Sequence, residues 1–148
     1  MIAPATPAEL DAIAEIERHS FPTPWPRETF EAELSREGAR LIAFHARGAA
    51  IGFCNYWIVF DELHVHAIAI HPDHRRAGIA GRLLAHALGE GRALGCERAT
   101  LEVRRGNAPA IALYQRAGFR GVHVRARYYQ DNHEDALVML CELTAPCP

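Results

Sequence analysis

Apolar residues recur along the chain with two different periods, and the change of period predicts where helices give way to strands. Near the N-terminus they recur every three to four residues, and Thr6, Pro7 and Glu9 supply the start signals of an amphipathic helix. A second short helix is predicted over about 26–34, beyond a proline-rich segment at 21–26 that cannot continue the first helix. The chain therefore places two helices before its first long strand.

From Arg40 the apolar pattern becomes typical of β-strands, and later the two kinds of element alternate. Helices are predicted over about 77–94 and from the N-cap Asn107 to Ala117. The order ααβββαβαββ, with a further short strand at Ile2-Ala3, alternates helix and strand only in its centre. This order favours a mixed sheet of the α+β or α/β class. The predicted strands are 40–45 and 50–59, joined by a turn at 47–49, then 63–70, 99–103, 119–129 and 136–143.

Composition and charge narrow the class of protein. The 148 residues suit one domain over 1–148, and a content of 49% hydrophobic and 23% charged residues excludes a disordered chain. The net charge of −2 gives no electrostatic footprint for nucleic acid. No apolar run approaches the roughly 20 residues that cross a bilayer, and no secretory signal is visible. We therefore expect a protein that binds neither nucleic acid nor membrane.

The cysteine and lysine contents add two constraints. The four cysteines include no Cys-x-x-Cys pair, which predicts reduced thiols in a cytoplasmic protein. All 16 basic residues are arginine, so a P-loop lysine, a Schiff-base lysine and a lysine general base are excluded. The cysteines are Cys54, Cys96, Cys141 and Cys147.

Four histidines that lie close together in sequence raise the question of a metal site. A strand would place His64 and His66 on one face and aim His71 and His74 elsewhere. Zinc sites favour tighter, repeated Cys/His spacings. We therefore expect no metal ion, and a metal-binding regulatory protein built on this cluster is kept as an alternative.

The segment 68–84 combines the end of a predicted strand, a short basic loop with two glycines and the start of a long helix. The first turn of a helix offers unpaired N–H groups and a partial positive charge, and glycines let a bulky anion approach the backbone. Arg75 and Arg76 add positive charge. The combination predicts a pyrophosphate site without a Walker or Gly-x-Gly-x-x-Gly motif. A tight loop whose arginines are only solvated is the alternative.

This segment also carries a family signature. Arg75-x-x-Gly78-x-Ala80 fits the Gln/Arg-x-x-Gly-x-Gly/Ala pattern of GNAT-type N-acetyltransferases. The block 101–119, which reads Leu-Glu-Val…Asn…Ala-Leu-Tyr…Gly-Phe, resembles the bacterial ribosomal-protein-alanine N-acetyltransferases of the RimI type. The resemblance to that subfamily covers nearly the whole chain. Further similar positions are Ile16-Glu17, Phe21, Trp25, Tyr128-Tyr129 and Glu134-Asp135-Ala136.

The resemblance implies an enzyme that transfers acetyl from acetyl-coenzyme A to an amine. It implies a GNAT-like mixed, mostly antiparallel sheet of six to seven strands flanked by about four helices. One strand should splay from its neighbour, and its exposed edge should carry the thioester end of the cofactor. Asn107, which also suits an N-cap, should contact the cofactor. The implied cofactor-binding residues are Ile68, Ala69, Ile70, Arg75, Arg76, Ala77, Gly78, Ile79, Ala80, Gly81 and Asn107.

Acetyl transfer to an amine needs a base, a stabilised oxyanion and a proton for the departing thiolate. Glu102 lies in an apolar strand, where we expect its pKa to be raised; an outward-facing strand carboxylate is the alternative. Tyr114 lies on the helical face that points to the sheet and can donate its phenolic proton; a core tyrosine with a wet tip is its alternative. The resemblance implies that Glu102 is the base and Tyr114 the acid.

The nature of the acceptor rests on the resemblance alone. The leading hypothesis is a protein N-terminal amine, that of the alanine of a small-subunit ribosomal protein. The alternatives are another acceptor, such as a lysine side chain or a small amine, and a non-catalytic coenzyme-A-binding module. Two departures from the subfamily bear on this choice. His71 replaces a residue that is often acidic, and the segment 130–133 replaces a loop that often contains proline.

Overall fold

Seven strands form a single mixed sheet in the computed structural model, which describes residues 1–144. The spatial order is β1-β2-β3-β4-β5-β7-β6, and every neighbouring pair is antiparallel except β4 and β5. This confirms the predicted mixed, mostly antiparallel sheet. The strands are β1 Ile2–Pro4, β2 Ala39–Ala46, β3 Ala49–Val59, β4 Glu62–Ile70, β5 Arg98–Arg104, β6 Arg120–Arg125 and β7 Ala136–Glu142.

Within residues 1–144, four α-helices cover the two faces of the sheet, because the central strands β2, β3 and β4 bury apolar side chains on both of their faces. One face is covered by α1 and α2, whose buried residues pack against Leu41 and Phe53. The other face is covered by α3, and Tyr114 of α4 packs against the same apolar cluster. The helices are α1 Leu10–Ser20, which follows a 3-10 turn at Pro7–Glu9, α2 Arg27–Ser35, α3 Ile79–Ala93 and α4 Ala108–Arg116.

The predicted order of elements is confirmed, including the short first strand. The predicted hairpin turn is also confirmed: Arg47 and Gly48 both have positive φ, 52° and 78°, as a two-residue turn between antiparallel strands requires. Two boundaries differ from prediction by more than one residue. The third helix begins at Ile79 rather than at Ala77, because Gly78 has a left-handed backbone with φ 75°. The sixth strand ends at Arg125 rather than at 129, because the chain turns with Arg127 at φ 54°.

Two further expectations concern thiols and membranes. Cys54, Cys96 and Cys141 are buried free thiols, whereas Cys147 lies outside the described residues. Burial raises the pKa of all three buried thiols. Between residues 1 and 144, no helix combines the length and the apolar character needed to span a bilayer.

Candidate active site

A β-bulge in β4 opens the centre of the sheet. In the β3–β4 ladder, Tyr56 lies opposite Val65 and Asn55 lies opposite Ala67, so His66 is an extra residue on β4. Bulges bend a strand and interrupt its pairing. The parallel ladder between β4 and β5 ends at the same place, with Val65 opposite Leu101. Beyond it, β4 continues to residue 70 and β5 to residue 104 without pairing with each other.

In the part of the chain that the structure describes, this splay leaves one edge of β4 without a neighbouring strand from His66 onward. The predicted residues Ile68, Ala69 and Ile70 form that part of the strand. A strand edge without a partner presents backbone N–H and C=O groups that an extended ligand can pair with. The arrangement therefore fits the role that the resemblance implies for these three residues.

The N-terminus of α3 provides a cradle of free backbone donors. Among residues 1–144, the N–H groups of residues 78–81 donate to no protein acceptor. Gly78, the N-cap, adopts φ 75°, and the space where its side chain would lie is open. A helix N-terminus with free N–H groups and positive dipole favours an anion. The residues present thus fit a pyrophosphate, as the basic glycine loop predicts.

The two arginines of the loop differ in their contacts. Arg75 donates from Nε to the carbonyl oxygen of Ile70 at 3.1 Å and from Nη2 to Ser20 Oγ at 3.2 Å. It thereby fastens the loop to the end of β4 and to α1. Arg76 is exposed and has a left-handed backbone with φ 66°. Arg76 is accordingly the arginine whose guanidinium is available to a bound phosphate.

Glu102 lies on the face of the sheet that α1 and α2 cover, directly after the last pair of the β4–β5 ladder. His64 Nε2 lies 2.7 Å from Glu102 Oε2, and the Tyr128 hydroxyl donates to Oε1 at 3.5 Å. The hydrogen bond from His64 holds the pKa of Glu102 below its ordinary value, against the opposing effect of burial. The expectation of a raised pKa is therefore wrong, because sequence alone did not reveal the imidazole that faces this carboxylate.

Aromatic side chains form the wall beside Glu102. His64 Nδ1 lies 3.2 Å from His66 Nε2, and the His66 ring lies 4.1 Å from that of Trp57 and 6.3 Å from that of Trp25. Burial lowers the pKa of His66 to about 4, so this ring is neutral at physiological pH. The Trp25 backbone N–H donates to buried Glu17 at 2.9 Å. That bond fixes the α1–α2 loop against the site.

Tyr114 approaches the splay from the opposite face. It packs against the apolar cluster that contains Leu101 and Val103, the two neighbours of Glu102 on β5. Burial raises the pKa of its phenol, so the proton is retained at neutral pH. Helix α4 is capped as predicted, since Asn107 Oδ1 accepts from the Ala110 N–H at 3.3 Å. A carboxylate and a phenol therefore flank the splayed strands from opposite faces.

Arg104 organises the chain between β6 and β7, and sequence analysis did not single it out. Its guanidinium donates to Asp131 at 2.9 Å and to Glu134 at 3.4 Å, and lies 4.0 Å from the centre of the Tyr129 ring. This clamp holds the segment that carries Tyr128 against β5. The acidic residues at 131–135 were the available signal, but only the fold shows that they face this arginine.

The histidine cluster separates into two pairs. His64 and His66 lie beside Glu102, whereas His71 and His74 lie in the loop before α3, with ring centres 5.8 Å apart. His71 Nδ1 accepts from the Asp73 N–H at 3.1 Å. Within the described part of the chain, no three or more His, Cys, Asp or Glu side chains are arranged to hold a metal ion.

Comparison with known proteins identifies the family. The family model described as "Acetyltransferase (GNAT) family" matches residues 10–119, from α1 through α4. The chain therefore belongs to the GNAT acetyltransferase family, which confirms the resemblance found in its sequence. The sheet and the helices that cover it are accordingly the fold of a GNAT acetyltransferase.

The similar proteins narrow the class further. The chain is 36% identical over 135 residues to the [ribosomal protein bS18]-alanine N-acetyltransferase of Escherichia coli, covering 88% of this chain and 89% of that protein. It is 32% identical over 144 residues to the N-alpha-acetyltransferase RimI of Mycobacterium tuberculosis, covering 93% of this chain and 89% of that protein. The crystal structure of the ribosomal-protein-S18-alanine N-acetyltransferase from Escherichia coli matches with a TM-score of 0.90, covering 99% of this chain and 96% of that one.

Proposed function

We infer that this protein is an N-α-acetyltransferase that transfers acetyl from acetyl-coenzyme A to the N-terminal alanine of a small-subunit ribosomal protein. One observation carries the inference. The splay of β4 from β5 exposes a backbone edge between a carboxylate on one face and a phenol on the other. The relatives named as alanine N-acetyltransferases support this acceptor. A ribosomal acceptor also implies that the enzyme works in the cytoplasm.

The cofactor would lie along backbone groups. The pyrophosphate would bind the free N–H groups of residues 78–81, with Arg76 available beside them. The pantetheine arm would pair with the edge formed by residues 68–70, and Asn107 lies at the start of α4 on the far side of the splay. Bound acetyl-coenzyme A supplies an acetyl thioester, which an amine can attack.

In the proposed reaction, Glu102 accepts a proton from the acceptor amine. A free α-amine has a pKa near 8, so about a tenth of it is already neutral at pH 7, and the base has a modest task. Glu102 is ionised at that pH, because its pKa is held below the ordinary value. It would take the proton directly or through a water molecule.

Tyr114 supplies the opposite proton transfer. The sulfur that leaves the acetyl group as a thiolate needs a proton, and a buried phenol retains one at neutral pH. Backbone N–H groups on the exposed edge of β4 would stabilise the developing oxyanion, since they are fixed donors that need no reorganisation.

The test is an acetylation assay with two matched peptides. One begins with the alanine and following residues of the ribosomal protein, and the other has the same sequence with its α-amine blocked and a lysine within it. We expect acetyl-coenzyme A-dependent acetylation of the α-amine alone, located by tandem mass spectrometry. Acetylation confined to lysine would overturn the acceptor class, and a protein that binds coenzyme A without acetylating any amine would overturn the enzymatic function.

A further inference from the structure

The acetyl-transfer reaction proposed above gives no role to the imidazole of His64. It lies on β4 opposite Trp57 of β3 and faces β5 on its other side. Its two nitrogens are engaged at opposite ends, Nε2 with Glu102 Oε2 at 2.7 Å and Nδ1 with His66 Nε2 at 3.2 Å. A ring held at both nitrogens has a fixed orientation.

We propose that His64 is a positioning residue for acetyl transfer, which holds Oε2 of Glu102 and thereby leaves Oε1 aimed at the acceptor amine. The proposal rests on the proposed function for the identity of that amine. A carboxylate has two oxygens, and only the one without a strong partner is free to accept a proton. Among the described residues, the hydrogen-bond partner of Oε1 is the Tyr128 hydroxyl at 3.5 Å, a weak contact that an incoming amine or water can replace.

His66 fixes the proton arrangement of this chain of groups. Its ring is half-buried beside two tryptophans and is neutral, since this partial burial lowers its pKa to about 4. With Glu102 ionised, His64 must donate from Nε2, and the lone pair on its Nδ1 then accepts from His66 Nε2–H.

The β-bulge is what brings these groups together. Because His66 is the extra residue on β4, its ring is directed at Trp25 and Trp57 rather than into the α3 face. The same bulge ends the β4–β5 ladder, so that Glu102 follows immediately after the last pair. One irregularity of the backbone thus opens the cofactor edge and sets up the support for the carboxylate.

The pair formed by His64 and Glu102 is surrounded by charged and titratable groups from every neighbouring element. Trp57 on β3 is not titratable, and its Nε1–H donates to Glu33 at 2.6 Å. The carboxylate of Glu62 on β4 accepts hydrogen bonds from Arg98 and from the Thr100 hydroxyl. The charged and titratable groups are Glu102 on β5, His66 and Glu62 on β4, Asp61 before it, Glu33 and Arg36 of the α2 end, Arg125 on β6 and Tyr128 beyond it.

The proposal predicts a specific dependence on pH. Removing the donor from Glu102 raises the pKa of that carboxyl, because burial then acts without the opposing hydrogen bond. The protonated, inactive carboxyl would consequently persist to higher pH. Loss of activity should therefore be largest under acidic conditions and smaller as pH rises. Ionisation of the amine acts in the same direction, because a charged amine depends most on the base.

The experiment compares two substitutions of the full chain. His64→Phe keeps a ring of similar size but has no donor, and His64→Gln retains an N–H that reaches the position of Nε2. We expect His64→Phe to lower kcat/KM for the peptide by about 10-fold near pH 7, with the ratio to wild type falling further toward pH 5.5. His64→Gln should restore most of that loss. His123→Phe, at an exposed position on β6, is the matched control and should leave kcat/KM unchanged.

A ratio that does not vary with pH, or a His64→Gln variant no better than His64→Phe, would overturn the proposal. A second measurement needs no acceptor: NMR titration of the Glu102 side-chain carboxyl in free protein. The midpoint should rise by about one pH unit in His64→Phe, in line with the loss of a charge-assisted hydrogen bond. An unchanged midpoint would also overturn it. If wild type acetylates no α-amine but this midpoint shifts, the proposed acceptor fails while the pairing of His64 with Glu102 stands.

Discussion

The cofactor cradle and the acceptor side of the site are built from different materials. The cradle is backbone from one continuous stretch, the loop before α3 and the first turn of that helix. The acceptor side is made of side chains from distant segments, with Glu102 on β5, His64 on β4, Tyr128 beyond β6 and Trp25 between α1 and α2. Backbone donors suit a pyrophosphate, which is common to every cofactor molecule, whereas side chains suit discrimination among acceptors.

The two regions also differ in what holds their geometry. In the cradle, a left-handed residue at Gly78 and the contacts of Arg75 set the path of the chain. On the acceptor side, hydrogen bonds link groups such as His64 and Glu102 that are 38 residues apart. Substitutions should therefore damage the cradle through bulk and charge against backbone. On the acceptor side they should act through pKa and orientation.

The largest effect should come from Gly78→Glu. The substitution puts a negative charge where the pyrophosphate contacts the backbone, and an L-residue at φ 75° is strained by about 1 kcal/mol. We expect coenzyme A binding to be abolished in calorimetry. Gly48→Glu is the matched control, because Gly48 has φ 78° and equally open surroundings in a hairpin turn. Unchanged binding by a folded Gly78→Glu protein would refute the cradle assignment.

Tyr114→Phe should have the next largest effect. It keeps the ring that packs against the core but removes the phenolic proton. We expect kcat to fall by about 100-fold, within the range for lost acid catalysis, with cofactor affinity nearly unchanged. Tyr56→Phe also removes a partly buried hydroxyl, one that donates to Glu90, and should lower Tm but not kcat. A less than twofold drop in kcat for Tyr114→Phe would reduce Tyr114 to a core residue.

Glu102→Gln tests the acceptor side through pH. The pKa of Glu102 is lowered, so the wild-type carboxylate stays ionised at pH values below those at which a glutamate ordinarily becomes protonated. It is therefore ready to accept a proton under these conditions. The ratio of wild-type to variant kcat/KM should be about 10-fold to 100-fold near pH 6.5, where the amine is mostly charged. It should shrink above about pH 8, where the amine is neutral and needs no base.

The control for this profile is Glu142→Gln at the exposed last residue of β7, which should give a ratio near one throughout. Parallel wild-type and Glu102→Gln profiles, offset by a constant factor up to about pH 9.5, would exclude the base role, because that pH lies beyond the ordinary amine pKa. A constant offset together with a lower Tm would show that Glu102 serves only to hold its neighbours.

The smallest effect should come from Arg104→Gln. Loss of the guanidinium releases Asp131 and Glu134, and with them the segment that carries Tyr128. We expect a rise of roughly threefold to tenfold in KM for the peptide, with little change in kcat or cofactor affinity, as for loss of uniform binding. Limited proteolysis should cut the segment faster. The control Arg120→Gln, which removes an exposed ion pair with Glu142, should change neither the peptide KM nor the rate of proteolysis. An unaltered peptide KM in Arg104→Gln would show that the clamp does not shape the acceptor side.

Much of the fold was predictable because its signals are local. Apolar periods of two and of three to four residues predicted the order of all the strands and helices. Asn107 as N-cap of α4 and Gly78 at the start of α3 each act on residues within one turn. The free backbone donors at the start of α3 were predictable for the same reason, since these N–H groups and the residues that expose them are adjacent in sequence.

Only the tertiary structure decided the acceptor side. The bulge at His66 depends on how β3 and β4 align, and the splay depends on where β4 and β5 stop pairing. The lowered pKa of Glu102 depends on an imidazole from another strand, and Tyr128 depends on a clamp from Arg104. Sequence alone identified Glu102 and Tyr114 as candidates through their residue types and a family resemblance. Their surroundings could not be predicted, because the free energy of a contact between distant residues depends on the register and packing of the whole sheet.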